Sequence, residues 1–173
     1  MTAIPIPSRL YLDTSVIVAT ISSGDPFNGQ CTAYCTALAR NNSTIYFSQL
    51  LRLEYAQFIR KVATDSQYAI PQNLFQQYQL RDFGKNLMVR HNWMNFMTGQ
   101  FDTLLATFYS VRELPLRPLI LRQSNSLMSF HSIESYDAAH VATALQEGIH
   151  DLATTDEKFA ARVTSGLRVH LIR

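Results

Sequence analysis

Four acidic residues lie in apolar surroundings, each near the predicted end or beginning of a strand or helix: Asp13, Glu54, Asp137 and Asp156. They are far apart along the chain, so only the fold can bring them together. Carboxylates that lie within a few ångströms of one another raise one another's pKa unless a cation neutralises them. The pattern therefore predicts a shared metal-binding carboxylate cluster.

Mg²⁺ or Mn²⁺ is the ion that such a cluster would hold, because hard divalent cations prefer oxygen ligands and share their coordination with substrate phosphates. A metal bound in this way lowers the pKa of a bound water, positions it for in-line attack and stabilises charge on the phosphate. The cluster thus predicts phosphodiester hydrolysis with one or two metal ions. Four residues with hydroxyl groups flank two of the acids. Their hydroxyls either bind waters or carboxylates of the metal site, or only take part in helix caps and turns: Thr14, Ser15, Thr154 and Thr155.

Other potential metal ligands have simpler explanations. His140 stands one helical turn after Asp137, which permits an Asp-x-x-His metal pair, but we favour a histidine that packs near the sheet or is hydrogen-bonded there. Cys31 and Cys35 are four residues apart on a predicted helix, without a second Cys/His pair at zinc-finger spacing. We interpret both cysteines as small buried helix residues.

The elements that position the acids alternate between strands and helices. Strands are predicted at Arg9–Leu12, Thr44–Phe47, Ile149–Thr155 and Val169–Ile172. Helices are predicted from about Gly29 to Arg40, after an N-cap at Ser48, from an N-cap at Ser135 to Gly148, and after Asp156. This alternation predicts a three-layer α/β/α fold with a central parallel sheet, in which ligands bind beyond the carboxyl ends of the strands.

The chain of 173 residues fits one domain, here 1–173, with a mostly helical insertion over about 64–128. No stretch reaches the roughly 20 uncharged apolar residues that span a bilayer, and the first residues lack a basic region and a long apolar core. We therefore expect a cytoplasmic protein without a membrane segment.

A formal net charge of +2 says little about a nucleic-acid partner. Five basic residues are nevertheless candidate RNA contacts: Arg52, Arg60, Lys61, Lys85 and Arg90. Trp93 lies close to Arg90 in sequence, and its ring is a candidate for stacking a base of a bound RNA. The same spacing also fits a solvated helix face with aromatic core residues behind it.

Four segments, in this order, resemble the PIN-domain nucleases, and within them the VapC-type toxins of toxin–antitoxin pairs: Leu12–Val16, the helix of Glu54, Ser135–Leu145 and Leu152–Phe159. The resemblance implies that the four acids bind magnesium in a ribonuclease that leaves 5′-phosphate and 3′-hydroxyl ends. It further implies an RNA substrate, a cognate antitoxin that shields the acidic pocket, and a homodimer. It leaves most of 64–128 unaccounted for.

Three other classes of protein share part of this pattern. A haloacid-dehalogenase-type phosphatase also places an Asp at the end of its first strand, but it needs a second Asp where Ser15 stands. A response-regulator receiver needs an acidic pair near the first strand and a phospho-acceptor Asp on a middle strand, and neither is found. The remaining alternative is a non-catalytic PIN-like module that binds RNA or a protein, and its binding would survive removal of the carboxylates.

Overall fold

A central sheet of five parallel strands organises the protein. The computed structural model describes residues 6–65, 70–163 and 166–173. The strands are β1 Arg9–Leu12, β2 Thr44–Ser48, β3 Ser110–Leu114, β4 Asp151–Thr154 and β5 Arg168–Leu171. Their order across the sheet is β3-β2-β1-β4-β5, and every neighbouring pair is parallel.

Helices connect the strands and cover the sheet. They are α1 Thr14–Ile21, α2 Asn28–Arg40, α3 Gln49–Thr64, α4 Gln72–Gln77, α5 Leu87–Leu105, α6 Pro118–His131, α7 Ser135–Gln146 and α8 Glu157–Arg162. A short 3₁₀ turn at Leu80–Asp82 lies between α4 and α5. None of the helices in the described ranges is both long enough and apolar enough to cross a membrane.

Successive side chains of the buried strands point to opposite faces of the sheet, so a hydrophobic core forms on each side of it. On β1, Leu10 and Leu12 pack into a core that includes residues of α1, α2, α3 and α5. The intervening Tyr11 packs into the other core, with residues of α7 and α8. This arrangement follows from the two-residue period of a strand. It confirms the three-layer α/β/α fold with a central parallel sheet.

The segment 64–128 is not simply helical, because it contains β3. This strand pairs in parallel with β2 over Ser110–Leu114. Its sequence, Ser-Val-Arg-Glu-Leu, buries only Leu114, and it lies at the edge of the sheet. An edge strand is held by backbone hydrogen bonds on one side only and can carry charged side chains. The missing apolar pattern explains why the sequence did not predict it.

One of the two predicted helix caps differs from the structure. The N-cap position of α7 is Glu134, and Ser135 is already helical. Ser48 does occupy the N-cap position of α3, but its side chain makes no capping hydrogen bond.

The two cysteines agree with their interpretation: both are buried and free, and burial raises the pKa of the Cys31 thiol to about 12.

The order of the strands creates a crevice between β1 and β4. From β1 the chain builds outward to β2 and β3, and it then returns to the other side of β1 to form β4 and β5. Ligands of open parallel sheets bind at such a reversal, beyond the carboxyl ends of the strands. Here the Asp13 N–H donates to the Ala153 carbonyl at 3.0 Å, which continues the β1–β4 pairing to the start of α1.

Candidate metal centre

Asp13 lies at this crevice, where it ends β1 and caps α1. Its Oδ1 accepts a hydrogen bond from the Thr14 N–H at 2.8 Å. Its Oδ2 accepts from Ser15 Oγ at 2.5 Å and from Thr154 Oγ1 at 2.7 Å. The residue is only 6% exposed. Three donors therefore fix the orientation of a nearly buried carboxylate.

The predicted supporting hydroxyls join β1 to β4. Ser15 Oγ and Thr154 Oγ1 are 3.1 Å apart, and both contact Asp13. Ser15 Oγ also accepts from the Thr155 N–H at 3.0 Å, so Thr155 contributes through its backbone. The Asp156 N–H donates to Thr154 Oγ1 at 3.0 Å. These contacts orient the ends of both strands around the Asp13 carboxylate.

Glu54 reaches the same place from the second turn of α3. Its Oε2 accepts a short hydrogen bond from Thr14 Oγ1 and lies 2.8 Å from His140 Nε2. Burial opposes the ionisation of Glu54, but its interactions with His140 and Thr14 outweigh burial and lower its pKa below the ordinary value. Glu54 is therefore a carboxylate at neutral pH.

Asp137 lies in the first turn of α7, as predicted, and is half-buried. Burial raises its pKa to about 7, with the negative charges of Asp13 and Asp156 adding to the effect. The three acids therefore lie within electrostatic reach of one another. Repulsion of this kind is what a bound cation would relieve.

Asp156 is exposed and caps α8. Its Oδ1 accepts from the backbone N–H groups of Lys158 at 2.7 Å and Phe159 at 3.0 Å. This capping role would explain an Asp here without any metal. Its charge nonetheless raises the pKa of Asp137, so the residue borders the cluster.

The histidine and a tyrosine have a larger part in this site than the sequence indicated. Asp13, Glu54 and His140 each offer a ligand atom, and these atoms all lie within 4.8 Å of one another. His140 is fully buried and hydrogen-bonded near the sheet, which agrees with our interpretation of it. Burial opposes its protonation, but Tyr11, Glu54 and Asp13 outweigh burial and raise the pKa of His140. No role in the site was predicted for Tyr11.

The donor set suits a hard divalent ion. It consists of the Asp13 and Glu54 carboxylates and the His140 imidazole, with hydroxyls hydrogen-bonded to both carboxylates. Oxygen ligands of this kind are typical of Mg²⁺ and Mn²⁺ sites. Burial, followed by the charges of Asp13 and Asp156, raises the pKa of Asp137 beside these ligands.

The five candidate RNA contacts lie in three different places. Arg52 pairs with Glu113 of β3, with 2.9 Å between Nε and Oε2, and it lies over the rings of Phe47 and Phe101. Arg60, Lys61 and Arg90 are exposed and line one groove of about 540 Å³ between α3 and α5. Lys85 is exposed in the turn before α5.

Trp93 cannot stack a base in this structure, so that prediction is wrong. Its side chain is 1% exposed, and Nε1 donates to the Ile59 carbonyl at 3.1 Å. Tyr78 packs edge-on against it, with 5.5 Å between the ring centroids. The alternative interpretation, an aromatic core behind a basic helix face, is the one observed.

Comparisons with known proteins identify the fold. No family model matches the chain, and no curated protein matches its sequence. One chain of VapBC2 from Rickettsia felis, bound to a DNA fragment from its promoter, matches with a TM-score of 0.59 at 15% identity, over 94% of this chain and 98% of that chain. VapC20 from Mycobacterium tuberculosis, a sarcin-ricin loop cleaving toxin, matches with a TM-score of 0.58 at 14% identity, over 92% and 98%.

A third structure, FitAcB from Neisseria gonorrhoeae, matches with a TM-score of 0.57 at 20% identity, over 92% of this chain and 95% of that chain. These neighbours are PIN-domain toxins of toxin–antitoxin systems. At such identities the likeness establishes the fold alone, and this chain has the PIN-domain fold.

Proposed function

We propose that this protein is a metal-dependent endoribonuclease. Asp13, Glu54, Asp137 and Asp156 would bind Mg²⁺ or Mn²⁺, and the ion would activate a water for attack on an RNA phosphodiester and stabilise the charge that develops. The observation that supports this proposal best is the convergence of fixed carboxylates at the β1–β4 crevice of a PIN fold. The resemblance to PIN-domain nucleases further implies that the products would carry 5′-phosphate and 3′-hydroxyl ends.

The residues around the ion would orient its carboxylate ligands and add negative charge. Ser15 and Thr154 hold Asp13, and Thr14 holds Glu54, so two carboxylates are oriented before any ion arrives. Asp137 and Asp156 add negative charge toward the solvent-facing side. Preorganisation of this kind reduces the reorganisation that metal binding and the reaction require.

The RNA backbone would continue from the metal centre into the groove of Arg60, Lys61 and Arg90. Lys61 follows Glu54 by seven residues, which is about 10 Å along the same face of α3. Arg52 is a poorer candidate, because its guanidinium already pairs with Glu113.

A toxin role would explain the likeness to VapC-type proteins. We propose a cognate antitoxin that covers the acidic crevice, and a homodimer in the cytoplasm. The exposed apolar side chains include several on or beside α5 and α6, among them Leu87, Met88, Leu119, Leu121 and Phe130. Multi-angle light scattering of the purified protein would measure its oligomeric state, and a monomer at micromolar concentration would contradict the dimer.

The decisive experiment is cleavage of a mixed cellular RNA pool by the purified protein with Mg²⁺, Mn²⁺ or EDTA. Asp13→Asn and Asp137→Asn should abolish metal-dependent cuts, whereas Asp82→Asn, an exposed acid on the 3₁₀ turn, should cut like the wild type. Folded protein that cuts no RNA with either metal would contradict the proposal. RNA or protein binding that survives both substitutions would then favour the non-catalytic PIN-like module.

A further inference from the structure

A chain of buried hydrogen bonds leads from β2 to the Glu54 carboxylate. The Ser48 N–H donates to the Tyr11 hydroxyl at 3.1 Å. The Tyr11 hydroxyl lies 2.8 Å from His140 Nδ1, and His140 Nε2 lies 2.8 Å from Glu54 Oε2. Tyr11 and His140 are both 0% exposed. None of these contacts joins neighbours in sequence, since Tyr11 and His140 are 129 residues apart.

The proton on His140 Nε2 can be assigned from its partner. The Glu54 carboxylate can only accept hydrogen bonds, so Nε2 carries the proton that points at it. In a neutral imidazole, Nδ1 is then the acceptor for the proton of the Tyr11 hydroxyl. In an imidazolium both nitrogens carry protons, and Nε2 again donates to Glu54. Ser48 Oγ, at 3.5 Å from Nδ1, is too distant to change this assignment.

Both donors to Glu54 use the same oxygen. Thr14 Oγ1 and His140 Nε2 each contact Oε2. Among the described residues no contact to Oε1 is seen, so that oxygen is left for another partner. A carboxylate held by one oxygen and open at the other is oriented to bind an ion monodentately.

We propose that Tyr11 and His140 are positioning residues, which fix the Glu54 carboxylate through Oε2 and leave Oε1 for the metal. This inference rests on the proposed function. His140 lies close enough to the acids to suggest a ligand. It is not one here, because the Nε2 lone pair that a metal would need is replaced by the proton donated to Glu54.

The structure provides a matched control for this arrangement. Tyr34 and His170 form a second buried Tyr–His pair, with 3.2 Å between the Tyr34 hydroxyl and His170 Nδ1. His170 Nε2 lies 2.7 Å from Asp151 Oδ1, at the opposite end of β4 from Asp156. Tyr34→Phe therefore removes the same kind of hydrogen bond from a pair whose carboxylate partner is Asp151 rather than Glu54.

Mn²⁺ binding by the full chain, measured by isothermal titration calorimetry without RNA, tests the proposal directly. Tyr11→Phe and His140→Leu should weaken Mn²⁺ binding about 10-fold or more, the size typical of residues that orient metal ligands. His140→Gln should restore part of the affinity, because its amide N–H can reach the position of Nε2. Tyr34→Phe should bind Mn²⁺ like the wild type, and circular dichroism should show that each variant is folded.

Electron spin-echo spectroscopy of the Mn²⁺ complex separates positioning from ligation. We expect no ¹⁴N coupling from a directly bound imidazole, and a directly coupled nitrogen that disappears in His140→Leu would overturn the proposal. Unchanged Mn²⁺ affinity in folded Tyr11→Phe and His140→Leu would overturn it as well, even if the wild type cleaves RNA. If the wild type binds Mn²⁺ with the expected variant pattern but cuts no RNA, only the proposed function fails.

Discussion

Asp137 illustrates how burial and neighbouring charges together change the pKa of one side chain. Its pKa of about 7 results from burial first, and then from the charges of Asp13 and Asp156. In the unfolded chain these effects vanish and the pKa returns to its ordinary value near 4. The folded, metal-free protein therefore favours the protonated form of Asp137. Its contribution to stability is fully present below about pH 4 and is lost as the pH rises through 7.

We expect Asp137→Asn to stabilise the metal-free protein at pH 8 and to have little effect at pH 4. The gain at pH 8 should be about 1 kcal/mol, because solvent screens a half-exposed carboxylate. Urea unfolding of both proteins in EDTA from pH 4 to 8 measures the difference. Added Mg²⁺ should stabilise the wild type at pH 8 more than the variant. If the two proteins differed in free energy of unfolding by the same amount at every pH from 4 to 8, the raised pKa of Asp137 would be contradicted.

Asp156 combines two tasks within one element, and these can be separated. As the N-cap of α8 it accepts two backbone hydrogen bonds, which an Asn side chain would also accept. As a proposed metal ligand it must carry charge, which Asn lacks. Substitution by Asn or Ala therefore distinguishes the cap from the ligand.

We predict that Asp156→Asn changes the free energy of unfolding by less than about 0.5 kcal/mol, whereas Asp156→Ala costs about 1 kcal/mol. Both should reduce Mg²⁺-dependent cleavage by 10-fold or more if the carboxylate binds the ion. Urea unfolding and initial cleavage rates measure the two effects. A fully active Asp156→Asn would show that this residue is only a cap.

The elements that were predictable from the sequence are those with a complete apolar pattern. β1, β2, β4 and β5 all overlap their predicted positions, because most of them bury successive side chains in the central sheet. β3 carries Arg112 and Glu113, and only backbone pairing with β2 makes it a strand. α1 was not among the predicted helices, although residues that can cap a helix were recognised at Asp13–Ser15.

The residues of the candidate site could likewise be predicted only in part from the sequence. Each acid could be recognised locally, by its position at the end of a strand or the start of a helix. Tyr11 and His140 could not, because their importance depends on a contact between β1 and α7 that only the folded chain creates. A polar residue in the middle of a strand, such as Tyr11, is the one local signal, since a buried hydroxyl needs a partner.

RNA binding should depend on the groove between α3 and α5 rather than on net charge. In an Asp13→Asn background, Lys61→Glu and Arg90→Glu should each weaken binding and lower the slope of log affinity against log salt by about 0.7 per lost phosphate contact with single-stranded RNA. Arg40→Glu, an exposed cation at the end of α2, is the matched control. Fluorescence anisotropy in EDTA measures the slopes, and equal slopes for all variants would exclude the groove.

The register of β1 links the stability of this protein to its chemistry. Within four residues, Leu10 and Leu12 fill one core, Tyr11 reaches into the other, and Asp13 follows at the end. A one-residue deletion in this strand would send each side chain to the opposite layer. Such a change would remove the proposed metal ligand Asp13 and the proposed positioning residue Tyr11 in a single step. Length variation in β1 should therefore be purged by selection more strongly than in any surface loop.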